Sequence, residues 1–358
     1  MTLKGEKNHY NVKYLRGYGF SIKVNDNKII LKDGVNPFTD TQESEEYFAP
    51  NLPYEKIVLC GKGYVSTEAL SLLSENYRNV ILVDINGNPI TYLNPVFSGE
   101  GLTATAYRMG QYDTFRNPEK RTYLALQIVR AKIKSQIQFL EQTKNPEVKD
   151  GIEFFKQSLL DIDKNPISHE ARLGRRYFSE FAKLIPTKYG FQSRNQSNLR
   201  ITKTKATDVI NALLNYGYAV LAGEISKFIN GMGLDAYYGF YHKEHTGFQP
   251  LVYDMIEPFR WLVDYTVYKI ANHQNNDQAI KLKDFAHSKS GQVLLSPDLI
   301  RRFLEMLERK FNSTRRYEFR HGVKTLDGLK NVQEITVAKI AIQNLADYCI
   351  EKRTSFEI

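Results

Sequence analysis

Residues 208–229 read DVINALLNYGYAVLAGEISKFI. On a helix, apolar side chains in this run would fall on nearly every side, and a helix that is apolar all round is a buried one. Asp208 stands ahead of it as an N-cap able to accept from the first free N–H groups. The pattern predicts the central helix of a bundle. Outward from it, Asn117-Pro118 opens a long helix with Leu126, Val129, Ile133, Ile137 and Leu140 as its stripe. Shorter helices are expected over about 152–160, from about 168, and over 277–288, 297–311 and 333–351. Pro258 lies inside the helical stretch after Pro250, where it removes a backbone donor and should kink the chain.

Toward the N-terminus the period changes. FSIKV (20–24), the turn NDN (25–27) and KIILKDG (28–34) read as a β-hairpin. KIVLCG (56–61) is a short buried strand. Ser66 starts a helix with Leu70, Leu73 and Tyr77 on one face. Strands follow on either side of a turn at Asn86-Gly87. The GKG at 61–63 lacks the GK[ST] ending of a phosphate loop and reads as strand-to-helix turn chemistry. Composition shifts across 94–101. The expected class is therefore α+β multidomain: an N-terminal β-rich domain over 1–100, sandwich-like or mixed, followed by a larger all-α helical catalytic domain over 101–358.

The chain has 358 residues, 42% hydrophobic and 25% charged, as a folded globular protein should. A net charge of +9 favours an anionic partner, nucleic acid before a membrane surface. Only Cys60 and Cys349 are present, which excludes a disulfide scaffold and a CxxC zinc site. Free thiols suit a reducing compartment. No apolar signal core and no run long enough to span a membrane is visible. A cytoplasmic location is expected.

One stretch gathers candidate chemistry. In GLDAYYGFYHKEHTGFQPLVYDMIEPFRWLVD (233–264), His242 and His245 precede a Gly-Pro break, and Asp254 and Glu257 follow it three residues apart. That spacing puts both acids on one helix face. They could simply complement a helix dipole, and Glu257 could pair with Arg260. Yet both sit in apolar sequence and need partners if buried. Glu170 is a second acidic candidate, followed by Arg172, Arg175 and Arg176. The polar, basic run 191–205, with Arg194 and Lys203, reads as a loop: a solvated surface, or a clamp on a DNA backbone beside a metal. One imidazole with carboxylates and no cysteine suits Mg²⁺ or Mn²⁺ better than structural zinc.

Several motifs in order resemble one family, the CRISPR-associated protein Cas1, the integrase and endonuclease of spacer acquisition. They are residues 57–95 (IVLCGKGYV through ITYLNP), RMGQY (108–112), IVRAKIKSQ (128–136), HEARLGRRYF (169–178), DVINALLNYGYAVL (208–221), and GLDAYYGFYH (233–242) with YDMIEPFR (253–260). The likeness covers nearly the whole chain. It implies Glu170, His242 and Glu257 as ligands of Mg²⁺ or Mn²⁺, with Asp254 in support, and His242 rather than His245 as the imidazole. It also implies double-stranded DNA as substrate, both spacer precursor and CRISPR repeat. A homodimer formed through the β domain would assemble with Cas2 as a heterohexamer. Two rivals remain. One is a casposase-type transposon integrase, disfavoured here because only a short tail follows the last helix. The other is a non-catalytic DNA-binding scaffold, which would show no metal dependence.

Overall fold

The computed structural model describes residues 12–35, 41–54, 56–76, 78–83, 89–93, 101–161, 166–194, 206–242, 249–274, 278–288, 291–318 and 329–358. Strand β1 (Val12–Asn25) turns through Asp26 and Asn27, both with positive φ, into β2 (Lys28–Lys32). Two left-handed residues make the turn that matches strand twist, so the expected hairpin is present. β2 pairs with β3 (Ser44–Phe48). On its other side β1 runs parallel to β4 (Lys56–Val65). The helix α1 (Thr67–Glu75), capped by Ser66 accepting from the Ala69 N–H, leads to β5 (Asn79–Val83), parallel to β4. β6 (Pro89–Leu93) closes the order β3-β2-β1-β4-β5-β6.

The result is one mixed six-stranded sheet, not a sandwich. The parallel centre follows from the strand–helix–strand run through α1, which needs a crossover. The GKG at 61–63 lies inside β4, not after it. Gly61 has φ +124 and backs onto β1, where an added Cβ would collide with the Gly17 carbonyl. The glycines are there for backbone approach. The Asn86-Gly87 turn and residues 94–100 lie outside the described residues.

The helical part holds α2 (Gly101–Arg116), α3 (Pro118–Thr143, capped by Asn117), α4 (Lys149–Asp161), α5 (Pro166–Lys183) and α6 (Val209–Gly231). α7 (Pro250–Ile256) gives way at Pro258 to a 3-10 turn (Glu257–Phe259) before α8 (Trp261–Ala271). α9 (Pro297–Asn312) and α10 (Glu334–Cys349) follow. Two two-stranded ribbons interrupt the helices, so this part is not all-α. One is β7 (Phe285–His287) with β8 (Val293–Leu295), and the other β9 (Thr314–Glu318) with β10 (Leu329–Gln333). The first replaces the helix expected over 277–288. Leu282 opens a 3-10 turn (Leu282–Asp284) instead, and Phe285, three residues on, follows it, which shares the three-residue spacing.

The chain folds into two compact units, each assembled from three stretches of sequence. One comprises Met1–Ser98, Leu184–Lys227 and Val267–Glu305; the other Gly99–Lys183, Phe228–Thr266 and Met306–Ile358. Within the first, most of α6 packs on the sheet rather than at the centre of a bundle. Tyr216 meets Tyr14 edge-on at 5.6 Å, and Glu224 pairs with Lys56 of β4 at 3.0 Å, both ends buried. Among the described residues no helix is long and apolar enough to cross a membrane.

Candidate metal centre

The second unit brings His242, Asp254 and Glu257 together. Residues 239–242 wrap the Asp254 carboxylate, which is fully buried in α7. Its Oδ2 accepts from the backbone N–H of Phe240 (2.5 Å) and Tyr241 (3.0 Å). Its Oδ1 accepts from the His242 N–H at 2.8 Å and lies 2.7 Å from His242 Nδ1. Glycine at 239 permits the approach: an added Cβ would stand 2.6 Å from Pro250 Cβ and 2.8 Å from Asp254 Oδ2. Three backbone donors make the carboxylate an acceptor toward its fourth partner as well. Nδ1 therefore carries the ring proton, and the Nε2 lone pair points away from Asp254.

That nitrogen faces Glu257 Oε1 at 3.9 Å. Glu257 is buried where Pro258 ends α7, so it is no surface acid on a helix dipole. Burial alone would raise its pKa. Arg260 at 2.7 Å on Oε1 and Lys132 of α3 at 2.8 Å on Oε2 outweigh it, with His242 adding to them, and hold the carboxyl down at about 2. The sequence pairing of Glu257 with Arg260 is thus real, and Lys132 joins it.

Two metal–ligand bonds of about 2.1 Å span at most about 4.2 Å, so His242 Nε2 and Glu257 Oε1 can share one divalent ion. The donors, imidazole nitrogen and carboxylate oxygen, match Mg²⁺ or Mn²⁺. Among the described residues no group of three His, Cys, Asp or Glu side chains is gathered for a metal. Position 170 lies in α5, but its side chain is outside the described residues, as are His245 and Lys203.

The basic candidates divide. Arg172 and Arg175 are exposed on α5, Arg172 lying 5.5 Å from the Phe154 ring. Arg176 is committed inward to the fully buried Glu180 at 2.8 Å. Arg194, in the other unit, is pinned by Asn211 (2.9 Å) and Asn215 (2.8 Å) of α6 and lies over Tyr218. Two residues the sequence reading did not single out also shape the site. Gln111 of α2, itself buried, donates to the Asp235 and Tyr238 carbonyls at 2.8 Å each and accepts from the Asp235 N–H. With Arg108 on Gly233 O and Tyr112 on Asp235 Oδ2, it staples the loop that delivers His242. RMGQY was visible as a motif, yet its partners lie more than 120 residues away. Lys132 likewise sits in IVRAKIKSQ, on a helix whose stripe says only core.

The fold has relatives among solved structures. A casposase bound to integration product matches with a TM-score of 0.77 at 26% identity, covering 97% of this chain and 92% of that one. A chain of a Cas6-RT-Cas1–Cas2 complex matches with a TM-score of 0.72 at 20% identity, covering 97% of this chain and 36% of the other. The class is thus the Cas1-like fold. The family model for CRISPR associated protein Cas1 matches residues 14–309, and the chain belongs to that family. A curated relative, CRISPR-associated endonuclease Cas1 1 of Archaeoglobus fulgidus, is 28% identical over 284 residues, 73% of this chain and 79% of its own length.

Proposed function

We propose that this chain is a metal-dependent DNA endonuclease and integrase of CRISPR adaptation, joining the 3′-OH ends of captured spacer DNA to the repeat array in the cytoplasm. One observation carries the reading: His242 Nε2, its tautomer set by buried Asp254, faces the ionised Glu257 at 3.9 Å. Family membership and the endonuclease name of the Archaeoglobus relative support the activity. Glu170, His242 and Glu257 would hold Mg²⁺ or Mn²⁺. The ion, when bound, supplies charge stabilisation at the phosphate and a more acidic attacking hydroxyl.

The remaining work falls to side chains. Asp254 keeps the His242 proton on Nδ1. Lys132 and Arg260 keep Glu257 ionised and fix its rotamer. Arg172 and Arg175 offer exposed cations to the DNA backbone, with Arg194 and Lys203 as further contacts in this reading. In strand joining, the fragment's 3′ oxygen forms a new P–O bond to the phosphate at the repeat's end, while the bond from that phosphorus to the 3′ oxygen of the flanking nucleotide breaks. The attacking hydroxyl gives up a proton and the departing oxygen takes one up. Positioning and electrostatics suffice for such a transfer. With water as nucleophile the same site nicks DNA. The partners proposed are a second copy through the β sheet and Cas2, in a heterohexamer. The likeness to a chain of a Cas6-RT-Cas1–Cas2 complex supports Cas2.

The test is integration of a short duplex with 3′-OH ends into a supercoiled repeat-bearing plasmid, with Cas2, with and without Mn²⁺. Joining that requires Mn²⁺ and vanishes in Glu170→Ala and His242→Ala, with DNA binding kept, is the expected result. Wild-type joining by either variant overturns the ligand assignment. The TM-score of 0.77 to a casposase favours one second reading, a casposase-type integrase. It predicts joining independent of the repeat and of Cas2.

A further inference from the structure

The helix that carries position 170 and the segment that carries Glu257 are tied together away from the candidate site. Tyr177 of α5 donates to Asp264 Oδ2 of α8 at 2.6 Å, and both residues are buried. Tyr177 follows position 170 by seven residues, about two helical turns along α5. Asp264 follows Glu257 by the same interval, across the break at Pro258. The bond therefore lies about 10 Å along both segments from the proposed ligands.

Packing does not account for it. Tyr177 is caged by aromatic rings, with Phe178 at 5.1 Å, Phe181 at 6.3 Å and Phe155 at 6.4 Å. A phenylalanine and a leucine would fill the same space. Burying an acid there costs stability unless it is bonded, and apolar replacements of buried polar pairs are often neutral or better. What a hydroxyl–carboxylate bond adds is register. Ring-on-ring contact tolerates sliding, whereas a hydrogen bond weakens steeply with distance and angle. One residue of slip moves a helix by about 1.5 Å, while metal ligands tolerate about 0.2 Å.

We infer that the Tyr177–Asp264 hydrogen bond is a register clamp that holds α5 against α8 so that Glu170 and Glu257 can share an ion, making both residues positioning residues. The inference rests on the metal reading given above. Its test reads binding of Mn²⁺ alone to the full-length protein, from the electron paramagnetic resonance signal of the free ion, beside thermal melting without metal. Tyr177→Phe deletes only the hydroxyl and should weaken Mn²⁺ binding about tenfold, the scale of losses seen when outer-shell partners of a metal are removed. Asp264→Leu should do the same, and the double variant should be no weaker than either single. Asp264→Asn keeps an acceptor oxygen and should bind within about twofold of wild type.

Ile210→Val in the other unit measures what lost stability alone does to binding. Folded Tyr177→Phe that binds Mn²⁺ like wild type, while Glu170→Ala does not, overturns the clamp alone. If Tyr177→Phe fails to fold, Asp264→Asn against Asp264→Leu decides, and equal binding by the two overturns the clamp. Wild-type binding by Glu170→Ala overturns the metal reading itself.

Discussion

Asp254 is the residue on which the candidate centre turns. Its carboxylate fixes three consecutive backbone N–H groups and the His242 ring together. Asp254→Ala should release all four and cost about 10–100-fold in Mn²⁺ affinity, measured by titration, with the ligands themselves unchanged. Glu257 makes a separate prediction about pH. Its folded pKa lies below the ordinary 4.5, at about 2. The ion pairs with Arg260 and Lys132 therefore add stability above pH 4.5 that is lost as pH falls toward 2. In chelator, the urea midpoint of wild type should exceed that of Glu257→Gln from pH 7 to about 4.5. The gap should close below that, as pH falls toward 2. A gap that stays open at pH 2 contradicts the assignment. At this scale much was legible: Asp254 and Glu257 stood out as acids in apolar sequence. Lys132 did not, because a lysine in a helical stripe looks like a snorkelling side chain until its carboxylate is found.

Elements place these residues, and small ones decide how closely elements meet. Gly151 of α4 is buried against Glu180 of α5, and an added Cβ would run into the Glu180 Cγ and Cδ. Alanine should gain about 1 kcal/mol of helix propensity. Displacing Glu180 from Arg176 and Lys183 should cost about 3–5 kcal/mol, since it strands a buried charge. The cost wins, so Gly151→Ala should lower the melting temperature despite being a helix-favouring change. The helix starts at Ser66 and Asn117 and the break at Pro258 were readable because cap and proline chemistry is local. The ribbons were not. β9 and β10 are five residues each, and β9, TRRYE, is too polar to announce a strand. Their pairing is a tertiary fact.

In the whole molecule, each compact unit draws on separate stretches of chain. Composition shifts near residue 100, but the return of residues 184–227 and 267–305 to the unit that holds the sheet leaves no such mark in the sequence. An all-round apolar helix such as α6 says that it is covered, not by what. Both cysteines are buried and neither is in a disulfide, and burial pushes the Cys349 thiol up to about 12, against the pull of a hydrogen bond with Thr114. A disulfide-exchange reagent at pH 8 should therefore label neither in the native protein and both in denaturant. Rapid native labelling of Cys349 would show that the end of α10 opens.

The pairing of Lys56 with Glu224 also sets a schedule for synthesis. Strand β4 leaves the ribosome about 170 residues ahead of the acid that neutralises its buried ammonium. At roughly 5–20 residues per second, that is roughly 8–34 s. Until then the sheet lacks the helix that covers Tyr14, Cys60 and Lys56. A nascent chain with an uncovered sheet face is what holding chaperones bind. Yield in the cell should thus respond to translation speed over 57–224 more than to speed elsewhere in the message.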